Sequence, residues 1–271
     1  MRTLKSIGFM FYFLVTQCSV TGAFLITRLL FYTSWSDKVL QTIDSYGAMS
    51  LPYLKLIAEA CVPAMIFADL LISIPVIYSY TKKGNKLVSS ISVIYFICLT
   101  AFALTLNFVI SVIVNSLPVS STSEFYTAIT SSVIGDNKIM AFLSTAIMAP
   151  IAEEAIFRLG ICRILYKDNV KRGIIVSSIL FGLAHMNVIQ STYAFVLGLI
   201  LASAFVKSEY NLAVPILLHV IINGSSVLYE YYPKVTIAFG LLIVMYALFW
   251  FAFDYLTRLF DCDSTAVKQL C

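Results

Sequence analysis

Charged residues are scarce in this sequence. Asp, Glu, Lys and Arg make up only 12% of its 271 residues and hydrophobic residues make up 60%, whereas charged residues form about 25% of a typical soluble domain. The mean hydropathy is +0.92. This composition excludes an ordinary soluble domain and predicts a multi-span membrane protein. The net charge of +4 is modest and the basic residues are spread through short segments, so no nucleic-acid partner is expected.

Several sequence patterns with chemical meaning are also absent. The six cysteines contain no C-x-x-C pair, so neither a disulfide framework nor a cysteine metal site is expected. The H-E-x-x-H spacing of common zinc proteases does not occur. No internal repeat of the kind that inverted-repeat transporters contain is found. The chain has only two histidines, His185 and His219, and both lie in apolar runs.

Long apolar runs dominate what remains. A membrane-spanning helix needs about 20 apolar residues to cross a core of about 30 Å, and eight runs approach or exceed this length, although one of them, 173–187, is short. The eight runs lie at about 7–30, 51–80, 87–115, 139–166, 173–187, 189–206, 211–229 and 235–257. We therefore predict an all-α fold, a polytopic membrane helical bundle with about eight transmembrane helices.

Polar segments divide this bundle into three regions within one integral membrane unit. Residues 1–138 form a three-span N-terminal region that ends in a polar loop outside the bilayer, residues 139–229 form the core that carries the candidate site, and residues 230–271 form the last span and a cytoplasmic tail. Residues 31–50 are mixed in polarity and suit an interfacial position. Asp69 in the second span has either a structural partner, which is the favoured interpretation, or a catalytic role.

The 18 basic residues are distributed unevenly between the two sides of an eight-span bundle. Cytoplasmic loops carry an excess of Lys and Arg, so this distribution predicts that both termini are cytoplasmic. With the N-terminus inside, twelve basic residues lie in inner segments, four lie in outer segments, and Lys55 and Arg158 lie within spans; the inner residues are Arg2, Lys5, Lys82, Lys83, Lys86, Arg163, Lys167, Lys171, Arg172, Lys207, Arg258 and Lys268, and the outer ones are Arg28, Lys38, Lys138 and Lys234.

Three charged residues, Glu153, Glu154 and Arg158, lie close together in the fourth run. Charged side chains inside a membrane are costly, so a functional site is the default interpretation. Successive helical residues point about 100° apart, whereas residues four apart share a face. We expect Arg158 to bind the Glu154 carboxylate and the less restrained Glu153 to be suited to proton transfer. A structural salt bridge between helices is the alternative.

Two further polar pairs have the spacing of one helical turn: Phe181 with His185, and His219 with Asn223. Because residues i and i+4 share a face, the second pair can direct an imidazole and a carboxamide at one point. Two donors directed together are typical of an oxyanion site. A single histidine in an apolar helix is more often structural, but the co-occurrence of both histidines with a Glu-Glu pair favours function. The same side chains could instead ligate zinc.

In these motifs the sequence resembles the CAAX protease and bacteriocin-processing (CPBP/ABI) family of intramembrane glutamate endopeptidases. Its E-E-x-x-x-R motif matches residues 153–158, its F-x-x-x-H motif matches residues 181–185, and its H-x-x-x-N/B motif matches residues 219–223. Each motif is weak alone, but the ordered set on separate runs is specific. The resemblance covers about residues 139–229.

The resemblance implies a metal-independent hydrolase that cleaves a peptide bond with an activated water. Glu153 would be the general base, His185 would hold and activate the water, and His219 and Asn223 would stabilise the oxyanion. Glu154 and Arg158 would complete the catalytic set, and Phe181 would support it. No cofactor and no metal are expected under this hypothesis.

The resemblance also implies partners and a location. We expect a peptide or membrane-protein substrate, contact with the lipid bilayer, a multi-pass position in a bacterial plasma membrane, and a membrane sensor or exporter as a candidate partner. Processing of a membrane-associated peptide or protein is favoured over cleavage of prenylated C-terminal peptides. The alternative is a non-catalytic bacteriocin self-immunity protein or a membrane sensor-binding protein. A third hypothesis, an ion-coupled transporter that uses the buried acids and histidines as a proton relay, is disfavoured by the missing repeats.

Overall fold

Helices form nearly all of the described chain. The computed structural model describes residues 2–47, 50–83, 87–88, 91–116, 137–167, 169–186 and 188–268. Within these ranges there are nine helices and no strand: α1 (Arg2–Phe31), α2 (Thr33–Tyr46), α3 (Leu51–Thr81), α4 (Val93–Ser116), α5 (Lys138–Tyr166), α6 (Val170–Ala184), α7 (Val188–Lys207), α8 (Ala213–Tyr231) and α9 (Pro233–Lys268).

Seven of these helices, all except α2 and α6, are long and apolar enough to cross a membrane. Helix α6 has 15 residues, so it extends only about 22 Å at 1.5 Å per residue, less than the ~30 Å of a hydrocarbon core. It corresponds to the run at 173–187, which the sequence marks as short. The predicted polytopic helical bundle is therefore confirmed, with α6 as its short member.

Helix α5 lies at the centre of the bundle. It packs against α1, α3, α6 and α8, and its residues Ile156, Phe157 and Ile161 are completely buried. Helix α9, in contrast, packs at the periphery against α4 and α8, and none of the residues in its most apolar window is buried. Large apolar side chains that face outward in this way suit a lipid environment. The helix that carries Glu153, Glu154 and Arg158 is thus well enclosed by its neighbours.

Two π-helical segments interrupt α5. The first, Phe142–Met148, precedes the α-helical segment Ala149–Glu154, and the second, Ala155–Cys162, follows it. Pro150 has no N–H to continue the α-helical pattern and its ring crowds the preceding turn, which gives a cause for the first wide segment. Such segments occur frequently at functional sites. The two glutamates end the short α-helical segment between them.

Most of the segment at 31–50, which the sequence predicts to be mixed in polarity and interfacial, forms α2. Trp35 and Val39 on this helix are buried against Ala60 of α3, and the guanidinium of Arg28 lies 5.3 Å from the centre of the Trp35 ring. The spacing of Trp35 and Val39 gives the helix one apolar face, which is enough to hold it on the bundle.

Two of the sequence-based expectations stay predictions. The polar loop predicted at 116–138 lies mostly outside the described residues, as do residues 269–271 at the end of the predicted tail. The predicted boundaries between the three regions, at residues 138 and 229, do not coincide with a break in packing. Helix α3 contacts α5 across the first boundary, and α8 contacts α9 across the second.

Candidate active site

A buried ion pair on α5 forms the base of the site. Arg158 Nε donates to Glu154 Oε2 over 2.6 Å, and Arg158 Nη2 donates to Glu154 Oε1 over 3.4 Å. Neither residue has any exposed surface. The two-point contact fixes the carboxylate plane as well as its position. The spacing of four residues predicts this pairing, and the structure confirms it.

His219 on α8 lies between the two glutamates. Its Nδ1 is 3.0 Å from Glu154 Oε1, and its Nε2 is 3.7 Å from Glu153 Oε2. A carboxylate can only accept a hydrogen bond, so the proton of the imidazole is assigned to Nδ1, which leaves Nε2 as an acceptor in the neutral ring. Glu154 therefore sets both the orientation and the tautomer of His219, as second-sphere carboxylates commonly do.

Phe181 on α6 connects both histidines to the arginine. Its ring centre lies 5.1 Å from that of His185 and 5.6 Å from that of His219, and both imidazole planes stand at 84° to the Phe181 ring. The guanidinium carbon of Arg158 lies 5.3 Å from the same ring centre, within the range of a cation–π contact. Only 1% of Phe181 is exposed, so the ring has little freedom to reorient.

His185 lies directly after the last residue of α6, not inside a run that continues to residue 187. Its Nδ1 is 2.9 Å from the carbonyl oxygen of Phe181, and Met186 follows with a φ of 53° that turns the chain away from the helix. Because a carbonyl only accepts, Nδ1 must be the donor and Nε2 is the acceptor in the neutral ring. The helix end thus fixes the tautomer of this second histidine.

Glu153 is the least restrained member of the group. Its side chain is 15% exposed, and its buried Oε2 has no hydrogen-bond partner among the described residues. Its distance of 3.7 Å to His219 Nε2 is too long for a direct hydrogen bond. This oxygen is therefore available to accept a proton.

Asn223, one turn after His219, is attached to the backbone of α5. Its Nδ2 donates to the carbonyl oxygen of Thr145 over 3.1 Å, inside the first π-helical segment. An amide nitrogen has two hydrogens, so this contact leaves one N–H for another acceptor. The structure therefore gives Asn223 a structural contact that the sequence pattern did not predict.

Asp69 on α3 is a further buried acid of the bundle. Gln17 Nε2 on α1 donates to Asp69 Oδ1 over 2.6 Å, and only 2% of Asp69 is exposed. Asp69 thus has the structural partner that the sequence favours. Gln17 was missed, although an amide inside the first apolar run is itself a signal.

The residues do not form an obvious metal site. Among the described residues, no group of three or more His, Cys, Asp and Glu side chains is placed so that it could hold a metal ion. His219 Nδ1 is already hydrogen-bonded to Glu154 Oε1, and Arg158 donates to both oxygens of Glu154. These donors would have to give up their present hydrogen bonds before they could bind zinc.

A multi-pass membrane protein with a buried acid–imidazole network is the class that this fold and site define. Residues 135–225, about a third of the chain, match the Rce1-like family model, described as Type II CAAX prenyl endopeptidase Rce1-like. The matched segment contains all three motifs and confirms the resemblance to the CAAX protease and bacteriocin-processing family. At the level of the family, it supports an intramembrane endopeptidase with a peptide substrate. Comparison with curated proteins and with solved structures gave no match.

Proposed function

We propose that this protein is an intramembrane endopeptidase in which Glu153 activates water to hydrolyse a peptide bond. The observation that carries the proposal is the pair formed by Glu153 Oε2, a buried oxygen without a hydrogen-bond partner among the described residues, and His219 Nε2, 3.7 Å away. At this distance the two groups make no direct hydrogen bond, so Glu153 can contact a water while His219 Nε2 faces the oxygen of the carbonyl group that the water attacks. General-base catalysis requires such contact with the proton that is removed.

In the proposed reaction the water oxygen attacks the peptide carbonyl carbon while Glu153 takes one proton. The carbonyl π electrons move to the oxygen and form a tetrahedral oxyanion. When this intermediate collapses, the C–N bond breaks and Glu153 returns the proton to the amine nitrogen. The products are a carboxylic acid and an amine, so all atoms and protons are accounted for without a cofactor.

The two histidines have separate roles in this proposal. His185 Nε2, left as an acceptor by the Nδ1 contact to Phe181, holds a hydrogen of the attacking water. His219 and Asn223 donate to the oxyanion. A donor at His219 Nε2 requires a proton there, and the Glu154 carboxylate at Nδ1 would balance the charge that this proton adds. Arg158 and Phe181 act as positioning residues.

The proposed substrate is a membrane-associated peptide or protein, since the site lies within helices that can span a membrane. We further propose a multi-pass position in a bacterial plasma membrane; both termini are placed in the cytoplasm because of the distribution of basic residues. A membrane sensor or an exporter is the proposed kind of partner. A non-catalytic immunity or sensor-binding role is the competing outcome of the following test.

The test compares purified wild-type protein with Glu153→Gln in peptidase assays on a library of lipid-tethered and soluble peptides. Gln preserves the volume of Glu153 and removes its basicity, so turnover should fall ~10²–10⁴-fold, the usual contribution of a general base. Folding should be unchanged because Oε2 makes no hydrogen bond with the described residues. Glu230→Gln, the same change at an exposed residue of α8, should retain wild-type turnover.

Two results would contradict the endopeptidase proposal. One is wild-type turnover by Glu153→Gln, which would remove Glu153 from the chemistry. The other is a folded wild-type protein that cleaves no peptide of the library but still protects cells or binds its partner. That second result would favour the non-catalytic alternative.

A further inference from the structure

A basic cavity lies at one end of the bundle, apart from the acid–imidazole network. It has a volume of about 540 Å³, is open on one side and is lined by residues of α1, α3 and α5 and their ends. Five cationic residues line it: Arg2, Lys5, Lys83, Arg163 and Lys167. None of the described residues in its wall carries a carboxylate, so the lining itself has a net positive charge. A cavity of this kind attracts a ligand with concentrated negative charge.

Charge decreases with depth along each wall of the basic cavity. Along α5 the wall changes from Lys167, just after the helix, through Arg163 to Leu159, in steps of four residues, about one helical turn each. The distance from Lys167 to Leu159 is about 12 Å along this direction. The other two walls follow the same order: Lys5, Phe9 and Tyr12 lie on α1, and Lys83, just beyond α3, is followed by Ser79 and Pro75 within it.

Arg163 is held in position inside the basic cavity. Its guanidinium carbon lies 4.4 Å from the centre of the Tyr80 ring, and Tyr80 is only 8% exposed. An arginine that is stacked on an aromatic ring loses little further freedom when it binds an anion. Its planar, multiple donors match the oxygens of a phosphate better than a single lysine ammonium does.

We propose that this basic cavity binds the phosphate of an anionic phospholipid headgroup. The cations lie at or near the ends of helices that can span a membrane, where lipid phosphates would be found, and the apolar residues one to two turns further along suit the glycerol and the first acyl carbons. Basic pockets between transmembrane helices are suited to such headgroups. Free phosphate shares the same charge but has no apolar part, so the floor of Phe9, Tyr12 and Pro75 favours the lipid.

The experiment is a native mass-spectrometric titration of the full chain in detergent with phosphatidylglycerol, phosphatidylcholine and inorganic phosphate in separate arms. Phosphatidylglycerol should bind more tightly than phosphatidylcholine and inorganic phosphate. Lys83→Gln/Lys167→Gln should raise the apparent Kd for phosphatidylglycerol on the order of tenfold. The matched control is Lys171→Gln/Lys207→Gln, which removes two exposed charges that do not line the cavity. It should change the Kd by less than about twofold.

A third variant separates a shaped site from diffuse surface attraction. Ser79→Trp fills the cavity from α3 without changing the charge, so it should also weaken phosphatidylglycerol binding. Equal effects of the two lysine pairs, together with unchanged binding by Ser79→Trp, would show diffuse attraction and overturn the proposal. It would also be overturned if phosphatidylglycerol bound no better than phosphatidylcholine, or if inorganic phosphate bound as tightly as the lipid.

Discussion

At the scale of single residues, the network depends on buried charges that have few partners. Arg158 and Glu154 are completely buried, and the only other side chain that bonds to Glu154 in the described structure is His219. A buried ion pair adds little net stability because both charges lose their hydration, but removal of one partner leaves the other charge uncompensated. The cost of a substitution here therefore depends on which charge remains.

Arg158→Met tests this asymmetry. It leaves the Glu154 carboxylate buried with His219 as its remaining partner, so the free energy of unfolding should fall by roughly 3–5 kcal/mol. Arg158→Met/Glu154→Gln should be more stable than the single variant because the stranded charge is also removed. Denaturation of the purified proteins in detergent measures both effects.

Lys55→Met is the matched control for this comparison. Lys55 and Glu59 have the same spacing of four residues, but their charged atoms are 3.9 Å apart and their side chains are 46% and 38% exposed. Loss of this pair should cost less than about 1 kcal/mol. If the double variant were no more stable than Arg158→Met, the loss would come from the packing of the arginine side chain and not from a stranded charge.

The sequence predicts some contacts of the site and not others, for a physical reason. Glu154 and Arg158 pair because residues four apart share a helix face, whatever surrounds the helix. The contact between His219 and Glu154 joins α8 to α5, and it depends on how each helix is rotated and how deeply it packs. The same holds for Asn223 and Thr145. The catalytic roles of these residues stay predictions.

At the scale of helices, close approach of α6 and α7 positions one wall of the site. A Cβ atom at Gly182 would lie 2.8 Å from the carbonyl oxygen of Ser191 in α7, and one at Gly198 would lie 3.1 Å from Phe181 Cδ1. Backbone atoms cannot move aside as a flexible side chain can. Because Gly182 has no Cβ, α6 and α7 can approach this closely, and their separation in turn sets the position of Phe181.

Gly182→Ala should separate α6 from α7. We expect a loss of about 1–3 kcal/mol in the free energy of unfolding, the usual cost of an inserted methyl group in a tight contact, and reduced peptidase activity because Phe181 and His185 move with α6. Thermal unfolding and turnover measure the two effects. Gly22→Ala on α1 is the control, since a Cβ there meets nothing within 4 Å. Unchanged stability and activity of Gly182→Ala would show that the backbone adjusts without cost.

The sequence also predicts the helices better than their irregularities. Long apolar runs give the spanning helices because an unpaired backbone is too costly in lipid. The run at 173–187 extends three residues beyond the end of α6 at Ala184, because the positive φ of Met186 that breaks the helix has no signal in the residue type. Pro150 is a local signal for the first π-helical segment. The second segment contains Gly160 against Phe9 of α1, a tertiary contact without a sequence signal.

At the scale of the whole molecule, basic residues gather at one end. The start of α1 meets the start of α6 there, because Arg172 Nη2 donates to Thr3 Oγ1 over 3.1 Å. The ends of α3 and α5 lie at the same end of the bundle and contact each other, since Arg163 stacks on Tyr80. Residues that the sequence predicts to be cytoplasmic are thus neighbours in space. If this end faces the cytoplasm, the basic cavity faces the inner leaflet.

The orientation of the whole bundle can be tested by thiol labelling of intact cells. In a background without native cysteines, Lys207→Cys at the end of α7 should be protected from a membrane-impermeant thiol reagent, because cytoplasmic segments are rich in Lys and Arg. Lys38→Cys on α2 should react, because it lies on the predicted outer side. Both lysines are exposed in the bundle, so burial does not bias the comparison, and labelling after lysis should make the two sites equally reactive. Reaction at residue 207 with protection at residue 38 would invert the topology. It would place the basic cavity in the outer leaflet.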